Sequence, residues 1–219
     1  TIVFVDDDFT EFTIGWNVTH FNKIQNALEA VTNNGTINIQ SGIYNEDIYL
    51  NKTVTISGES VENVWINGQI EVDANNTLIE NLTIANVSDL EIPAGILDMS
   101  SNSIYSNLQL INNTRGIQLL WSSINTVIDN NIFENNVDGI YTVESSSNAI
   151  ISNNTFNNNI NSGIYIDSSQ YLTITNNYIL NTAEIGLNLI GSNHNLIYNN
   201  YFYNLFNYNV DGRTNNSFN

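Results

Sequence analysis

Short apolar runs, broken by Asn, Gly and Ser, recur along the chain at a nearly constant spacing. In the segment 128–133, Ile-Asp-Asn-Asn-Ile-Phe, the apolar residues flank a pair of asparagines. The first Asn of this phrase recurs six times, and the last four steps are each 23 residues: Asn81, Asn107, Asn130, Asn153, Asn176 and Asn199. A fixed period in the twenties is typical of solenoids, in which each repeat stacks on the previous one. The pattern therefore predicts one rod of stacked coils.

The apolar runs favour strands over helices. Runs such as Gly163–Ile166 and Leu172–Ile174 are β-branched and aromatic, and they are too short for a helix. Each coil is therefore predicted to be a turn of parallel β-helix. Its strands then pair with their equivalents one rung above and below, at about 4.8 Å. The fold class predicted is all-β.

A residue type that recurs at one position of the coil stacks on copies of itself. An Asn that points into the core is costly alone, but in a stack its NH2 can reach the carbonyl oxygen of the next Asn. We interpret the row from Asn81 to Asn199 as such an inward ladder. A second row lies five residues upstream, at Asn102, Asn125 and Asn148, and continues with Tyr171 and His194.

One segment has a helical period instead. Apolar residues recur every three or four positions from Phe21 to Val31. This spacing predicts one amphipathic helix over about 20–33, with Thr19 as its N-cap and Gly35 just past its end. Because the open end of a β-helix exposes its core and its unpaired strand edges, we expect this helix to be the N-terminal cap.

The chain is predicted to form one domain with three parts: an N-terminal strand and capping helix over 1–35, β-helix coils over 36–210 and a C-terminal polar tail over 211–219. No second cap is predicted at the C-terminal end. Three alternatives stay open there. The aromatic segment around Phe206 and Tyr208 folds over the last coil, the native chain continues, or another subunit covers the end.

Four segments precede the Asn-rich coils in a fixed order: Phe4–Phe9, Ile24–Leu28, Gly42–Glu46 and Lys52–Gly58. In this order they resemble the NosD-like group of right-handed parallel β-helix proteins, within the pectate-lyase-like superfamily. The resemblance covers nearly the whole chain and implies a single right-handed coil. It also implies a microbial, especially archaeal, surface protein. The superfamily includes polysaccharide lyases, hydrolases, esterases, epimerases, adhesins and inert scaffolds, so the fold alone does not decide the function.

Composition and charge exclude several classes of binding partner. The 219 residues carry 22 acidic and four basic side chains, a net charge of -18. This leaves no basic patch for nucleic acid and no polybasic membrane signal. No apolar run is long enough for a transmembrane helix, and the absence of Cys leaves the redox compartment open.

Because the chain opens directly on a strand, we expect a mature secreted protein at the cell surface. Sequons that fall outside the predicted ladder are candidate glycosylation sites: Asn17, Asn34, Asn51, Asn75, Asn86, Asn112 and Asn215.

The sequence offers little catalytic chemistry. A lyase needs a base and a cation that neutralises a uronate carboxylate, and Arg115 is the one cation within the regular coils. Asp138 occupies the same position one rung on, so a structural ion pair between them is expected. No two carboxylates have the spacing of a glycosidase site. We therefore name no catalytic residue.

No cofactor is predicted, with one candidate exception for a cation. Asp6, Asp7 and Asp8 form the densest acidic run and are a weak candidate Ca²⁺ site. The run lacks the spacing of a Ca²⁺-binding loop, so a structural turn is the favoured alternative.

Two outward rows follow the Gly of each coil. Gln118, Tyr141, Tyr165 and Asn188 form a candidate sugar-binding strip. The second row is an apolar patch typical of a protein interface, provided that the coil corners do not bury it. Its members are Met99, Leu120, Trp121 and Val143.

These features support two hypotheses. The first is an extracellular structural or interaction solenoid that builds or decorates a surface assembly (S-layer, sheath, filament or adhesin). Its partners would be copies of itself or other surface proteins. The alternative is a protein that binds or degrades polysaccharide along the strip.

Overall fold

The computed structural model describes residues 1–143, 146–211 and 215–219. The chain winds into about eight turns of a parallel β-solenoid, as predicted, and the turns contribute strands to three parallel sheets. Its strands are numbered β1–β27 along the sequence. None of the helices in these ranges is long and apolar enough to cross a membrane.

Each sheet contains the strands from one side of the coils. Sheet A contains, in spatial order, β2 (His20–Phe21), β1 (Ile2–Val5), β3 (Gly35–Ile39), β6 (Val54–Gly58), β9 (Leu78–Glu80), β12 (Ile104–Ser106), β15 (Val127–Asp129), β18 (Ile150–Ser152), β21 (Thr173–Thr175), β24 (Leu196–Tyr198) and β27 (Ser217–Phe218). Sheet B contains β4 (Gly42–Tyr44), β7 (Val64–Ile66), β10 (Thr83–Ala85), β13 (Gln109–Ile111), β16 (Ile132–Glu134), β19 (Thr155–Asn157), β22 (Tyr178–Leu180) and β25 (Tyr201–Tyr203). Sheet C contains β5 (Ile48–Leu50), β8 (Ile70–Val72), β11 (Ile96–Asp98), β14 (Arg115–Leu119), β17 (Asp138–Thr142), β20 (Ser162–Asp167), β23 (Ile185–Ile190) and β26 (Phe206–Val210).

The core is a set of stacks of like residues. In sheet B, Phe133 pairs with Phe156 across neighbouring strands, and their buried rings lie 4.7 Å apart and nearly parallel. Ile128, Ile151 and Ile174 form a comparable buried stack in sheet A. The alternation of buried and exposed positions in these short strands places their remaining side chains outside.

Left-handed asparagines form the corners of the coils. The predicted row from Asn81 to Asn199 lies between sheets A and B, and the row at Asn102, Asn125 and Asn148 lies between sheets C and A. A third row, between sheets B and C, was not predicted: Asn86, Asn112, Asn135, Asn158 and Asn181. Asn is several-fold enriched in the left-handed region among residues other than Gly.

The prediction that the Asn81–Asn199 row points inward is wrong. Asn153, for example, is exposed with φ 56°, whereas the next residue, Asn154, is fully buried. The left-handed turn interrupts the strand alternation, so the residue after the turn takes the inward position. The second row is also exposed, and its Tyr171 and His194 stack with ring centroids 5.1 Å apart.

The inward ladder is displaced by one residue and is continuous over four coils. Its members are Asn131, Asn154, Asn177 and Asn200. Asn154 Nδ2 donates to Asn177 Oδ1 at 3.0 Å and to the Ile128 carbonyl at 2.9 Å, and Asn154 Oδ1 accepts from the Asn131 backbone N–H at 2.9 Å. A second buried ladder follows the third row of corners, at Asn113, Asn136 and Asn159.

The single predicted helix is confirmed and is shorter than expected. Helix α1 spans Ile24–Ala30 and buries Ile24, Ala27 and Leu28 against the first strands. Thr19 is not its N-cap, because the helix begins at Ile24 and Lys23 occupies the N-cap position. The carboxylate of Glu46 accepts hydrogen bonds from the backbone N–H groups of Ile24 and Gln25, at 2.8 and 3.1 Å.

The two ends of the rod differ. At the N-terminal end β1 pairs with β3, and α1 packs on β1, β2, β3 and β5. At the other end, Ser217 and Phe218 of the predicted polar tail form a strand that pairs with β24. The last strands carry exposed aromatic side chains, among them Phe206 and Tyr208.

Candidate functional site

The outward residues of sheet C form one continuous row. Tyr49, Glu71, Leu97, Gln118, Tyr141, Tyr165, Asn188 and Asn209 are Cα partners on successive strands. The four residues of the predicted sugar-binding strip are therefore consecutive members of this row, but Gln118 is only 3% exposed, so the prediction that it faces solvent is wrong. We call Gln118, Tyr141, Tyr165 and Asn188 the tyrosine strip.

The tyrosine strip is organised by stacking. The rings of Tyr141 and Tyr165 lie 4.7 Å apart with an interplanar angle of 8°. The guanidinium carbon of Arg115 lies 4.1 Å from the centre of the Tyr141 ring, a cation–π contact. Arg115 and Tyr165 thus both contact the Tyr141 ring. Within the described ranges neither tyrosine hydroxyl has a hydrogen-bond partner, so both are available to a ligand.

Arg115 and Asp138 are neighbours in register, as predicted, but these two described residues do not form the expected ion pair. Arg115 Nη1 donates to Gln118 Oε1 at 2.7 Å, and Asp138 Oδ1 accepts from Asn161 Nδ2 at 2.7 Å. Burial raises the pKa of Asp138, and the hydrogen bond from Asn161 and the charge of Arg115 oppose that rise.

The predicted apolar patch is largely covered. Leu120 is only 4% exposed and packs with Leu97 and Ala94, while Met99 and Val143 are half-buried at the edge of this cluster. The cause is the longer coil between Asn81 and Asn107, whose residues Ile92 and Ala94 lie on the outside of sheet C. Of the patch, only Trp121, at 58% exposure, is open to solvent.

The acidic run at the N-terminus forms a compact turn. Ligand atoms of Asp6, Asp7 and Asp8 lie within 4.8 Å of one another. Asp6 Oδ1 accepts from the Asp8 backbone N–H, and Asp7 Oδ2 accepts from that of Ile43. These bonds give the run a structural role, and Ca²⁺ binding there stays a prediction.

The sequence pattern did not indicate a buried carboxylate. Asp98 points into the core, where its Oδ1 accepts from the Ser100 backbone N–H at 2.9 Å and its Oδ2 from the Thr126 hydroxyl at 3.0 Å. Burial raises the pKa of Asp98. The register could have indicated this burial, because the Cα partners of Asp98, Val72 and Leu119, both face inward.

All seven candidate glycosylation asparagines are exposed. Asn153, which the inward-ladder interpretation excluded, is exposed as well, and Asn81 is half-buried on the outer row. Modification at any of these positions stays a prediction.

A family model described as "Periplasmic copper-binding protein (NosD)" matches residues 21–219. The chain belongs to the NosD family. No curated protein sequence is significantly similar to it.

Copper in proteins is held by His, Cys and Met, and this NosD-family chain does not bring such donors together. It has no Cys and one Met, and its two His lie in separate contacts: His20 against Phe4 and Phe9, His194 against Tyr171. Met99 packs in the cluster around Leu120. Of the described side chains, only Asp6, Asp7 and Asp8 form a group of three or more candidate ligands. The donor set does not fit a copper centre.

Solved structures that resemble this NosD-family chain act on polysaccharides. A pectin methylesterase from Aspergillus niger has a TM-score of 0.62 at 14% identity, over 99% of this chain and 85% of that one. An alginate lyase from Paenibacillus sp. has a TM-score of 0.56 at 15% identity, over 89% and 92%. The catalytic domain of a GH87 α-1,3-glucanase has a TM-score of 0.55 at 15% identity, and the match spans 80% of this chain but only 44% of that domain. At these identities the likeness shows the β-helix fold alone.

Proposed function

We propose that this NosD-family protein binds an extended polysaccharide along the tyrosine strip. The observation that carries the proposal is the Arg115–Tyr141–Tyr165 stack on successive strands, flanked by amide side chains in the same register. Strands of a sheet repeat at about 4.8 Å, so a polymer running along the rod meets Tyr141, Tyr165 and Asn188 at successive steps. Gln118 is buried and supports the strip through its hydrogen bond from Arg115. The polysaccharide enzymes that share the fold support this ligand class.

The strip suits a ligand rich in hydroxyl groups. Tyr hydroxyls and Asn amides both donate and accept hydrogen bonds, and Arg115 adds one cation that can meet a sugar carboxylate. Asn188 is tied to Asn209, which donates to it at 2.9 Å, so this part of the surface is held in one conformation.

The test is retention of the full chain in gels that contain polygalacturonate or alginate. We expect Tyr141→Ala with Tyr165→Ala to weaken retention by tenfold or more, because the double change removes the stack and both hydroxyls. Tyr171→Asn is the matched control, since it removes a stacked, exposed tyrosine on another face and restores the Asn of its row. Equal retention of all three proteins would contradict the proposal.

The same polymers are used to test for cleavage. We assign no catalytic residue, and we expect no release of unsaturated or reducing sugar from either uronate with Ca²⁺ present. Cleavage that disappears in Arg115→Ala would instead make Arg115 and Asp138 the candidates for charge neutralisation and proton abstraction.

A second candidate function is surface assembly, and the C-terminal end of the rod favours it. Phe206 and Tyr208 are 62% and 59% exposed on the last strand of sheet C, which ends that sheet. Unpaired strand edges with exposed aromatic residues pair readily with other strands. We propose that copies of this chain or other surface proteins dock there, with Trp121 as a further contact.

Sedimentation velocity at several salt concentrations tests this assembly, because the charge of -18 opposes self-association at low salt. Phe206→Ser with Tyr208→Ser should abolish any association. Trp121→Ser tests separately whether Trp121 contributes to it. Association unchanged in all variants would exclude both surfaces. For both candidate functions we place the protein outside the cytoplasm, in the periplasm or at the cell surface.

A further inference from the structure

The corner between sheets A and B carries a cavity of about 540 Å³ on the outside of the rod. It is lined by the outer asparagines Asn176 and Asn199 and by Tyr178 and Tyr201, with Asn153 at one end. We call this cavity the amide groove. Its volume lies within the range of small-molecule sites.

The tyrosines of the amide groove are more open than those of the tyrosine strip. Tyr178 and Tyr201 are 57% and 55% exposed, and their rings lie 6.0 Å apart at 45° instead of stacking flat. The tilt leaves parts of both ring faces free. Open aromatic faces pack against the C–H faces of sugar rings through apolar contact, while the hydroxyl supplies a polar group at the edge.

The two asparagines have unused hydrogen-bonding groups. In the same row, Asn130 Nδ2 donates to Asn107 Oδ1 and Asn153 Nδ2 donates to Asp129 Oδ1. The side-chain amides of Asn176 and Asn199, by contrast, have no partner anywhere in the described part of the chain. Each therefore offers one acceptor and two donors to a ligand.

The floor of the groove is fixed. Asn177 and Asn200 belong to the buried ladder, and their Nδ2 groups donate to the carbonyls of Ile151 and Ile174, both at 2.8 Å. The groups above them are consequently held one rung apart on a rigid support. Such preorganisation reduces the entropy lost on binding.

The charge of the groove selects the ligand. No Asp, Glu, Lys or Arg is among its lining residues, whereas the tyrosine strip lies beside Arg115 and Asp138. From the open rings, free amides and neutral lining, we infer that the amide groove is a second carbohydrate site, specific for a neutral glycan. It lies at a different side of the coil from sheet C, so the protein would hold two glycans at once.

The test uses the full chain and three named probes: a β-1,4-linked glucose hexamer, an α-1,3-linked glucose hexamer and polygalacturonate, with binding measured by calorimetry. Tyr178→Ala with Tyr201→Ala should weaken binding of a neutral hexamer by tenfold or more. Asn176→Asp with Asn199→Asp should do the same, since Asp also tolerates the left-handed backbone but removes the NH2 donors.

Asn135→Asp is the matched control, because Asn135 is an exposed, left-handed corner residue of another row. It should bind the neutral hexamers as the wild type does. Tyr141→Ala with Tyr165→Ala should also keep this binding, which separates the groove from the strip.

The inference fails if the wild type binds neither neutral hexamer, or if the groove variants bind them unchanged. Loss of neutral-hexamer binding in the strip variant alone would also overturn it, and would leave the proposed function standing. Loss of polygalacturonate binding in the strip variant, with neutral binding intact, supports two separate sites.

Discussion

Asparagine has two structural roles in this chain, and the φ angle of a single residue separates them. The corner residue takes a left-handed conformation and faces solvent, as at Asn153, while its successor Asn154 is buried and bonded on both sides. A buried amide without partners is costly. The ladder removes this cost only while every rung supplies the next acceptor.

The first prediction compares these neighbours. Asn154→Leu leaves the Ile128 carbonyl and the Asn131 backbone N–H without the partner that the Asn154 side chain supplies, while Asn177 Oδ1 keeps the backbone N–H of residue 154. Each unpaired buried group costs about 1–3 kcal/mol. We expect the free energy of unfolding to fall by about 3 kcal/mol or more, measured by urea denaturation. Asn153→Gly keeps the left-handed turn and should change it by less than about 0.5 kcal/mol. An equal loss of unfolding free energy in the two variants would show that the buried ladder does not stabilise the fold.

The second prediction concerns Asp98. Burial raises the pKa of the Asp98 carboxyl in the folded protein above its unfolded value of about 3.9. The contribution of this group to the free energy of unfolding is therefore complete below about pH 4 and is lost as the pH rises through the folded pKa. Asp98→Asn has the same shape and no charge, so its stability should lack this slope. At neutral pH it should exceed the wild type by about 1.4 kcal/mol per unit of pKa shift.

Urea denaturation from pH 4 to pH 8 measures the difference between the two proteins. The exposed residue Asp89 supplies the control, Asp89→Asn, which removes one charge from the surface. Parallel profiles for the wild type and Asp98→Asn would show that Asp98 does not titrate in this window.

The stability of helix α1 depends on a side chain that is distant in sequence, that of Glu46. With seven residues it is too short to persist alone. Its buried face packs on the first coil, and Glu46 binds its free N–H groups from the loop between β4 and β5. A carboxylate at a helix N-terminus also interacts favourably with the helix dipole.

The third prediction is that Glu46→Ala lowers the free energy of unfolding by about 0.5–2 kcal/mol. Amide hydrogen exchange at Ile24 and Gln25 should accelerate at the same time. Glu29→Ala, on the exposed side of the helix, is the control and should leave both quantities nearly unchanged. Unaltered exchange in Glu46→Ala would mean that packing alone holds the helix.

Periodicity predicted the elements of this fold better than it predicted their faces. The 23-residue spacing correctly indicated parallel strands that pair rung on rung, and the helical spacing after Phe21 correctly indicated α1. The spacing of a repeat does not show which of two adjacent residues points inward, and a shift of one residue exchanges the buried and the exposed face. The spacing therefore predicts the inward ladder at Asn153, whereas the structure has it at Asn154.

The candidate site shows the same limit. The tyrosine strip was predicted because its members keep one register along sheet C. The residues that cover Leu120 were not predicted, because they belong to the longer coil between Asn81 and Asn107, which does not follow the 23-residue repeat. The sequence pattern does not predict the amide groove, since the groove requires that the corner asparagines face solvent and not the core.

At the scale of the whole molecule, the two ends of the described rod differ. Helix α1 and β1 cover the first coils, whereas the last strand of each sheet has no neighbour on its outer side among the described residues. This asymmetry gives the fourth prediction. Deleting residues 1–34 would expose the edge of β3 together with the buried Ile37, and we expect aggregation or irregular fibres.

Light scattering of the truncated protein checks this outcome. Removing only residues 215–219 is the comparison, because it exposes the edge of β24 at the end that is already open. A soluble monomer after the N-terminal deletion would contradict the capping role.

The uniform corners make the length of this protein a separately adjustable property. Removing residues 154–176, which include β19, β20 and β21, would join Asn153 directly to Asn177, the counterpart of Asn154 one rung on. Strands β22, β23 and β24 would then pair in register with β16, β17 and β18. Removing a single residue from the same coil would instead displace the residues that follow it relative to their stacks. A chain of this kind can thus be lengthened or shortened by whole rungs, and the distance between its two ends can change without any change in its cross-section.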